Sequence, residues 1–256
     1  MLHFFEKGQG PALLFLHGFC ETGEMWRHLA DSLSSQYRVL CPDLPGFGSS
    51  PITHPITCLE DVAEQLEVWM EALQIQHPIV LGHSLGGYVA LALLERMGDR
   101  IQAIGLLHST AYADDLEKKE MRNRVLIFLN KHGAAKFVSS FVPQLFPEHR
   151  REELADAMAH AIEDGQRSSL EGLLTYTVAM RDRQDRIAVL QQFAGPKLLL
   201  AGTLDGAVKI DSSRAQQQYF THYTELEGVG HLGMVEEKEK TLTVVQEFVR
   251  EVLSSS

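Results

Sequence analysis

Ser84 lies in Gly82-His83-Ser84-Leu85-Gly86-Gly87, directly after the apolar run Pro78-Ile79-Val80-Leu81 and before a helical pattern of Tyr88, Val89, Leu91, Ala92 and Leu94. A β-branched run that breaks into glycine-x-serine-x-glycine reads as strand, sharp turn and helix, with the serine at the apex. The apex residue takes a strained backbone, and a Cβ at Gly82 or Gly86 would collide with the neighbouring strand or helix. A serine hydroxyl is a poor nucleophile at neutral pH. It needs a base within hydrogen-bond reach, normally a histidine that a carboxylate orients.

For a serine on such a turn the carboxylate comes next in the chain and the histidine last, each in a loop at the carboxyl end of a strand. Lys197-Leu198-Leu199-Leu200-Ala201 runs into Gly202-Thr203-Leu204-Asp205-Gly206, which places Asp205 in the turn after a strand. The position after the strand ending at Leu107 offers His108, Ser109 and Thr110 but no carboxylate. Of 12 histidines, His231 in Gly228-Val229-Gly230-His231-Leu232-Gly233 follows Asp205 in the right kind of loop. The other histidine after Asp205, His222, reads as strand. His83 is adjacent to the serine but should point away from its hydroxyl, which leaves it a packing role.

Attack on an acyl carbon builds an oxyanion that needs two fixed donors. The backbone N–H of Leu85, first in its helix, supplies one. Leu16-His17-Gly18-Phe19 ends an apolar strand in a glycine turn, so the N–H of Phe19 is the second candidate. His17, before a turn glycine, suits a loop-pinning role.

These groups need a frame that brings strand ends together. Short apolar runs alternate with amphipathic segments, as in a mostly parallel sheet covered by helices on both faces. The expected strands are Leu2 to Phe5, Ala12 to Leu16, Tyr37 to Cys41, Ile79 to Leu81, Ala103 to Leu107, Lys197 to Ala201 and His222 to Leu226. The expected helices are Glu24 to Ser34, Leu59 to Leu73, Leu85 to Met97, Asp211 to Tyr219 and Val235 to Val252. Between about Thr110 and Gln192 the alternation stops and helix follows helix. Met121, Val125, Phe128 and Leu129 make one apolar stripe there, and Phe137, Phe141, Leu145 and Phe146 continue it after Gly133. Residues 110–192 therefore read as an all-helical cap inserted into a core domain of residues 1–109 and 193–256. Phe128, Phe137, Phe141 and Tyr88 are the candidates for an apolar substrate pocket.

The composition excludes several classes. A net charge of -11 argues against a nucleic-acid or anionic-membrane partner, which would need a basic face. Cys20, Cys41 and Cys58 form neither a CxxC pair nor an even framework, which favours a reduced compartment. No cationic stretch precedes the apolar run Ala12 to Leu16 and no run is long enough to span a bilayer, so the cytoplasm is the expected location. No zinc-ligand spacing and no phosphate-binding glycine loop appears, and no metal or cofactor is expected.

Taken together, Leu16-His17-Gly18-Phe19, Asp43-Leu44-Pro45-Gly46-Phe47-Gly48-Ser49-Ser50, Gly82-His83-Ser84-Leu85-Gly86-Gly87, Gly202-Thr203-Leu204-Asp205 and Gly230-His231 resemble the successive landmarks of the α/β-hydrolase family. The resemblance covers nearly the whole chain and is nearest to small capped esterases such as the pimeloyl-ACP methyl ester esterase group. It implies the α/β-hydrolase fold and a Ser84, His231, Asp205 triad acting on a small-molecule ester. Tyr88 stands where the lyases of menaquinone synthesis carry an arginine. The proline common a few residues after the acid is absent near Lys209, as is a similar one around Glu236 to Lys238. Serine at position 84 excludes the dehalogenase and epoxide hydrolase branches, whose nucleophile is aspartate. Thioester or carbon-carbon hydrolysis, a lyase reaction with the same triad, and a ligand-binding receptor on this scaffold are the alternative readings.

Overall fold

Each expected apolar run forms a strand in the computed structural model, which describes residues 2–254. The strands are β1 (Phe4–Lys7), β2 (Ala12–Leu16), β3 (Arg38–Pro42), β4 (Ile79–His83), β5 (Ala103–Leu107), β6 (Lys197–Gly202) and β7 (His222–Leu226). They make one sheet in the order β1-β3-β2-β4-β5-β6-β7, with β1 antiparallel to β3 and every other pair parallel. Residues of β2, β4, β5 and β6 are almost all buried, as expected of parallel strands covered on both faces. β7 has polar residues and is half-buried, as befits an edge.

The first seven helices are α1 (Arg27–Leu33), α2 (Leu59–Ala72), α3 (Leu85–Met97), α4 (Leu116–Phe141), α5 (Ala155–Gly165), α6 (Leu170–Asp182) and α7 (Ile187–Gln192). After β6 come α8 (Ile210–Gln216), α9 (Gly233–Glu236) and α10 (Lys238–Ser254). Among the described residues every regular element between β5 and β6 is helical.

Three expected helices are interrupted. Glu24 to Ser34 begins as a 3₁₀ turn, Gly23–Trp26, capped by Thr22, whose hydroxyl accepts from the Glu24 N–H at 3.2 Å. Asp211 to Tyr219 ends in a 3₁₀ turn, Gln217–Tyr219. Val235 to Val252 is split at Glu237, whose backbone leaves the helical region (φ -137°, ψ 64°). Inside α4 the chain breaks at Gly133 (φ 78°), which separates the two halves of the expected apolar stripe. Leu129, Phe137 and Val138 are buried, whereas Met121, at the outer end of that stripe, is exposed.

The strand order fixes where a site forms. From β2 the chain steps outward to β3, then returns to lay β4 on the other side of β2 and proceeds toward β7. The carboxyl ends of β2 and β4 thus flank the point where the winding direction reverses, the place where open α/β sheets gather their ligands.

Candidate active site

Ser84 directly follows β4 with φ 48° and ψ -113°, a conformation that costs a non-glycine residue ~1–3 kcal/mol. Its N–H donates to the Leu107 carbonyl at 3.0 Å and its carbonyl accepts from Ser109 Oγ at 2.7 Å, so β5 holds the turn. Glycine is required on both sides. A Cβ at Gly82 would run into the Gly86 carbonyl, and one at Gly86 into the Leu16 carbonyl at the end of β2. Ser84 is half-exposed amid fully buried neighbours. Leu85 opens α3, so its N–H has no acceptor within the helix.

The loops after β6 and β7 are tied to one another. Thr203 N–H donates to the Leu226 carbonyl at 3.1 Å, Leu204 N–H to Val229 at 2.9 Å, and Gly228 N–H to Thr203 Oγ1 at 2.9 Å. This brings Asp205 Oδ2 within 2.8 Å of His231 Nδ1. The other carboxylate oxygen, Oδ1, accepts from Ala207 and Val208 N–H, both at 2.8 Å. Burial pushes the Asp205 carboxyl up, but the facing His231 and the nearby His108 hold it far below the usual carboxylate range. An ionised Asp205 accepts a hydrogen bond from His231 Nδ1–H, which leaves Nε2 of that ring as its basic nitrogen.

His17 pins the loop after β2. Its Nε2 accepts from Leu44 N–H at 2.8 Å, so its Nδ1 carries the proton and donates to the Gly18 carbonyl, also at 2.8 Å. Burial keeps that ring neutral by lowering its affinity for a proton. Asp43 fastens the neighbouring loop, accepting from Gly23 and Ser49 N–H at 2.8 and 2.9 Å.

The expected pocket residues divide. The rings of Phe137 and Phe141 stack at 5.1 Å and each lies 6.0 Å from the ring of Phe19. Phe128 joins this cluster through Phe137 at 6.1 Å. Apolar side chains of the helical segment thus meet the residue after the Gly18 turn. Tyr88 is not part of that cluster. Its buried ring lies under the Arg183 guanidinium at 4.0 Å, and Arg183 is itself paired with Asp114.

Four residues that the sequence reading left without a site role surround His231. His83 was expected to pack; it hydrogen-bonds instead, through Nε2 to the His231 carbonyl at 2.8 Å and through Nδ1 to Glu21 at 2.9 Å. Glu236 accepts from the N–H groups of Gly230 at 2.8 Å and Leu232 at 3.1 Å. His108, buried and at φ 49°, brings Nδ1 to 3.5 Å from Asp205 Oδ2, a long polar contact. Burial lowers its proton affinity. For Glu21 the one available signal was an acidic residue inside the otherwise apolar and glycine-bearing loop after β2; Glu236, at the head of a charged run, carried none. His231 N–H also donates to the Leu145 carbonyl at 2.9 Å, which ties the base loop to the helical segment.

Over 257 aligned residues the chain is 29% identical to the pimeloyl-(acyl-carrier protein) methyl ester esterase of Aeromonas salmonicida, with 94% of this chain and 96% of that protein covered. It is similar to the structure of a thermophilic esterase from Thermogutta terrifontis, with a TM-score of 0.91, 26% identity, and 98% and 93% of the two chains covered. The enol-lactonase of Burkholderia xenovorans LB400 shares the fold, with a TM-score of 0.89 at 22% identity and coverage of 97% and 96%. Residues 11–238 match the model of the alpha/beta hydrolase fold, and the chain belongs to that family.

Proposed function

We propose that this protein is a serine hydrolase that cleaves the carboxylic ester of a small apolar acyl group through an acyl-enzyme. The observation that carries the reading is the strained Ser84 at the sheet's winding reversal, on the same sheet edge as a buried His231–Asp205 hydrogen bond. Ser84 Oγ attacks the acyl carbon and gives its proton to His231 Nε2. Asp205 orients His231 and stabilises the imidazolium. The N–H groups of Phe19 and Leu85 hold the oxyanion, each such donor being worth ~10²–10³ in rate. His231 then protonates the departing alcohol, and a water molecule, deprotonated by the same nitrogen, releases the acid.

Residues 110–192 act as a cap over the core formed by residues 1–109 and 193–256. The ring cluster of Phe19, Phe128, Phe137 and Phe141 supports an apolar acyl pocket beneath it. The names of the Aeromonas and Thermogutta relatives support ester cleavage.

A panel of p-nitrophenyl esters and thioesters of graded acyl length, run beside Ser84→Ala, tests the reading. Turnover of the esters that Ser84→Ala abolishes is expected. Preference for thioesters would move the assignment to another acyl bond, and no turnover of any member would remove it.

A further inference from the structure

His83 and Glu21 meet inside the protein, behind the proposed base. The His83 side chain is fully buried and that of Glu21 is 9% exposed. The contacts bear on where the protons are. A backbone carbonyl can only accept, so His83 Nε2, 2.8 Å from the His231 oxygen, must carry hydrogen. Glu21 Oε2 accepts from Gly18 N–H, and the same oxygen faces His83 Nδ1 at 2.9 Å. A carboxylate opposite Nδ1 requires hydrogen there as well. His83 is then an imidazolium, paired in the interior with Glu21.

This pair touches three loops at once. Gly18 precedes Phe19, the proposed oxyanion donor; His83 precedes Ser84; and the carbonyl held by His83 belongs to His231. A Cβ at Gly18 would fall 2.6 Å from Glu21 Oε2 and 2.7 Å from His83 Nδ1, so the strand-end turn is moulded onto the pair.

We propose that the Glu21–His83 ion pair is a buried strut that positions the base, locking the His231 backbone and the Gly18 turn to the serine elbow as one unit. The proposal rests on the hydrolase reading for its effect on rate but not for its effect on the His231 ring. His83 is a positioning residue: it touches neither substrate nor the reacting atoms.

The groups around the pair favour its charged form. His83 faces the Glu21 and Asp205 carboxylates, with the His108 ring at 6.0 Å and the His231 ring at 4.8 Å. Burial pulls the His83 imidazolium down, but Glu21, the His231 carbonyl and Asp205 outweigh it and leave its pKa raised. On the other side, burial pushes Glu21 up, while the facing His83 and the Gly18 N–H bring it below its ordinary value. Both shifts point to the same pair of ions.

Two measurements on the full chain test the strut. In the first, ¹⁵N-labelled wild type is titrated by NMR. Both His83 ring nitrogens are expected to stay protonated above the pH at which an ordinary histidine loses its proton. A His83 that becomes neutral near ~6.5 would overturn the proposal. In the second, His83→Phe is compared with His83→Gln, which retains an N–H donor. Small displacements of a reacting group cost up to ~10²-fold, so His83→Phe should lower kcat by ~10–100-fold with KM within ~3-fold, and His83→Gln should recover most of it. The downfield proton shared by His231 Nδ1 and Asp205 should weaken in His83→Phe and return in His83→Gln. Equal kcat and an unaltered His231 proton in folded His83→Phe would overturn the strut. If wild type cleaves no ester while the His231 proton still responds to His83 as described, the hydrolase reading fails and the strut stands.

Discussion

Glu236 straddles His231: its carboxylate accepts from the N–H of Gly230 at 2.8 Å and from that of Leu232 at 3.1 Å, one residue on either side of the ring. With the His231 N–H on Leu145 and its carbonyl on His83, four hydrogen bonds fix the backbone of three consecutive residues. The loop is rich in glycine, and these bonds hold it in one conformation.

Glu236→Ala should leave two buried N–H groups unpaired, each worth ~1–3 kcal/mol. Urea unfolding should show a loss of ~2–4 kcal/mol at an unchanged slope, with Glu236→Gln losing less because it keeps one acceptor. Wild-type stability in Glu236→Ala would show that the loop holds itself.

The placement of Ser84, Asp205 and His231 at strand ends was legible in the sequence because the signal for each is local. Each sits at a break between an apolar run and a glycine-bearing turn, and the chain order of the three narrows the choice. The sheet was legible for the same reason, since β2, β4, β5 and β6 are continuous apolar runs. The supports were not. His83 and Glu21 are 62 positions apart, and nothing in either loop announces the other. The aromatic stripe predicted helices but not which end would be covered: Phe137 reaches Phe19, while Met121 faces solvent. The break at Glu237 and the 3₁₀ turns are settled by capping and packing, which periodicity does not encode.

The Glu21–His83 pair predicts a specific pH dependence of stability. Glu21 is depressed from 4.5, so its contribution is complete above that pH and is lost as pH falls through its folded value. His83 is raised from 6.5, so its contribution is complete below that pH and is lost as pH rises through its folded value. The stability difference between wild type and a Glu21→Gln, His83→Gln double variant should therefore be greatest between pH 4.5 and 6.5 and decline on both sides. A difference that grows steadily above that window would contradict an ion pair.

The facing His231 and the nearby His108 hold the Asp205 carboxyl below the usual carboxylate range. The fall of kcat/KM toward acid pH should therefore report protonation of His231, and His231→Ala should lose that limb together with the activity. Asp205→Asn should lower kcat by ~10⁴-fold, because the ring is no longer held in the tautomer with a free Nε2. An acid limb that persists in a turning-over His231→Ala would assign the base to another residue.

An acyl pocket under the Phe19, Phe137 and Phe141 rings predicts a chain-length profile. Each buried methylene contributes up to ~0.8 kcal/mol, or ~4-fold in kcat/KM, until the pocket is full. Phe137→Ala should move the optimum to longer acyl chains while costing ~3–5 kcal/mol of stability, since that ring is buried. A flat profile in wild type, with the variant changed in stability alone, would reduce the ring cluster to packing.

The central claim is that Ser84 is the nucleophile, and covalent labelling tests it most directly. Incubation with a fluorophosphonate should add one equivalent per chain, with the adduct mapped by mass spectrometry to the peptide carrying Ser84 and the label absent from Ser84→Ala. That variant should keep its fold and lose ~10⁴-fold or more in kcat on whichever ester the wild type cleaves. Labelling at another residue, or a Ser84→Ala protein that turns over at the wild-type rate, would contradict the account.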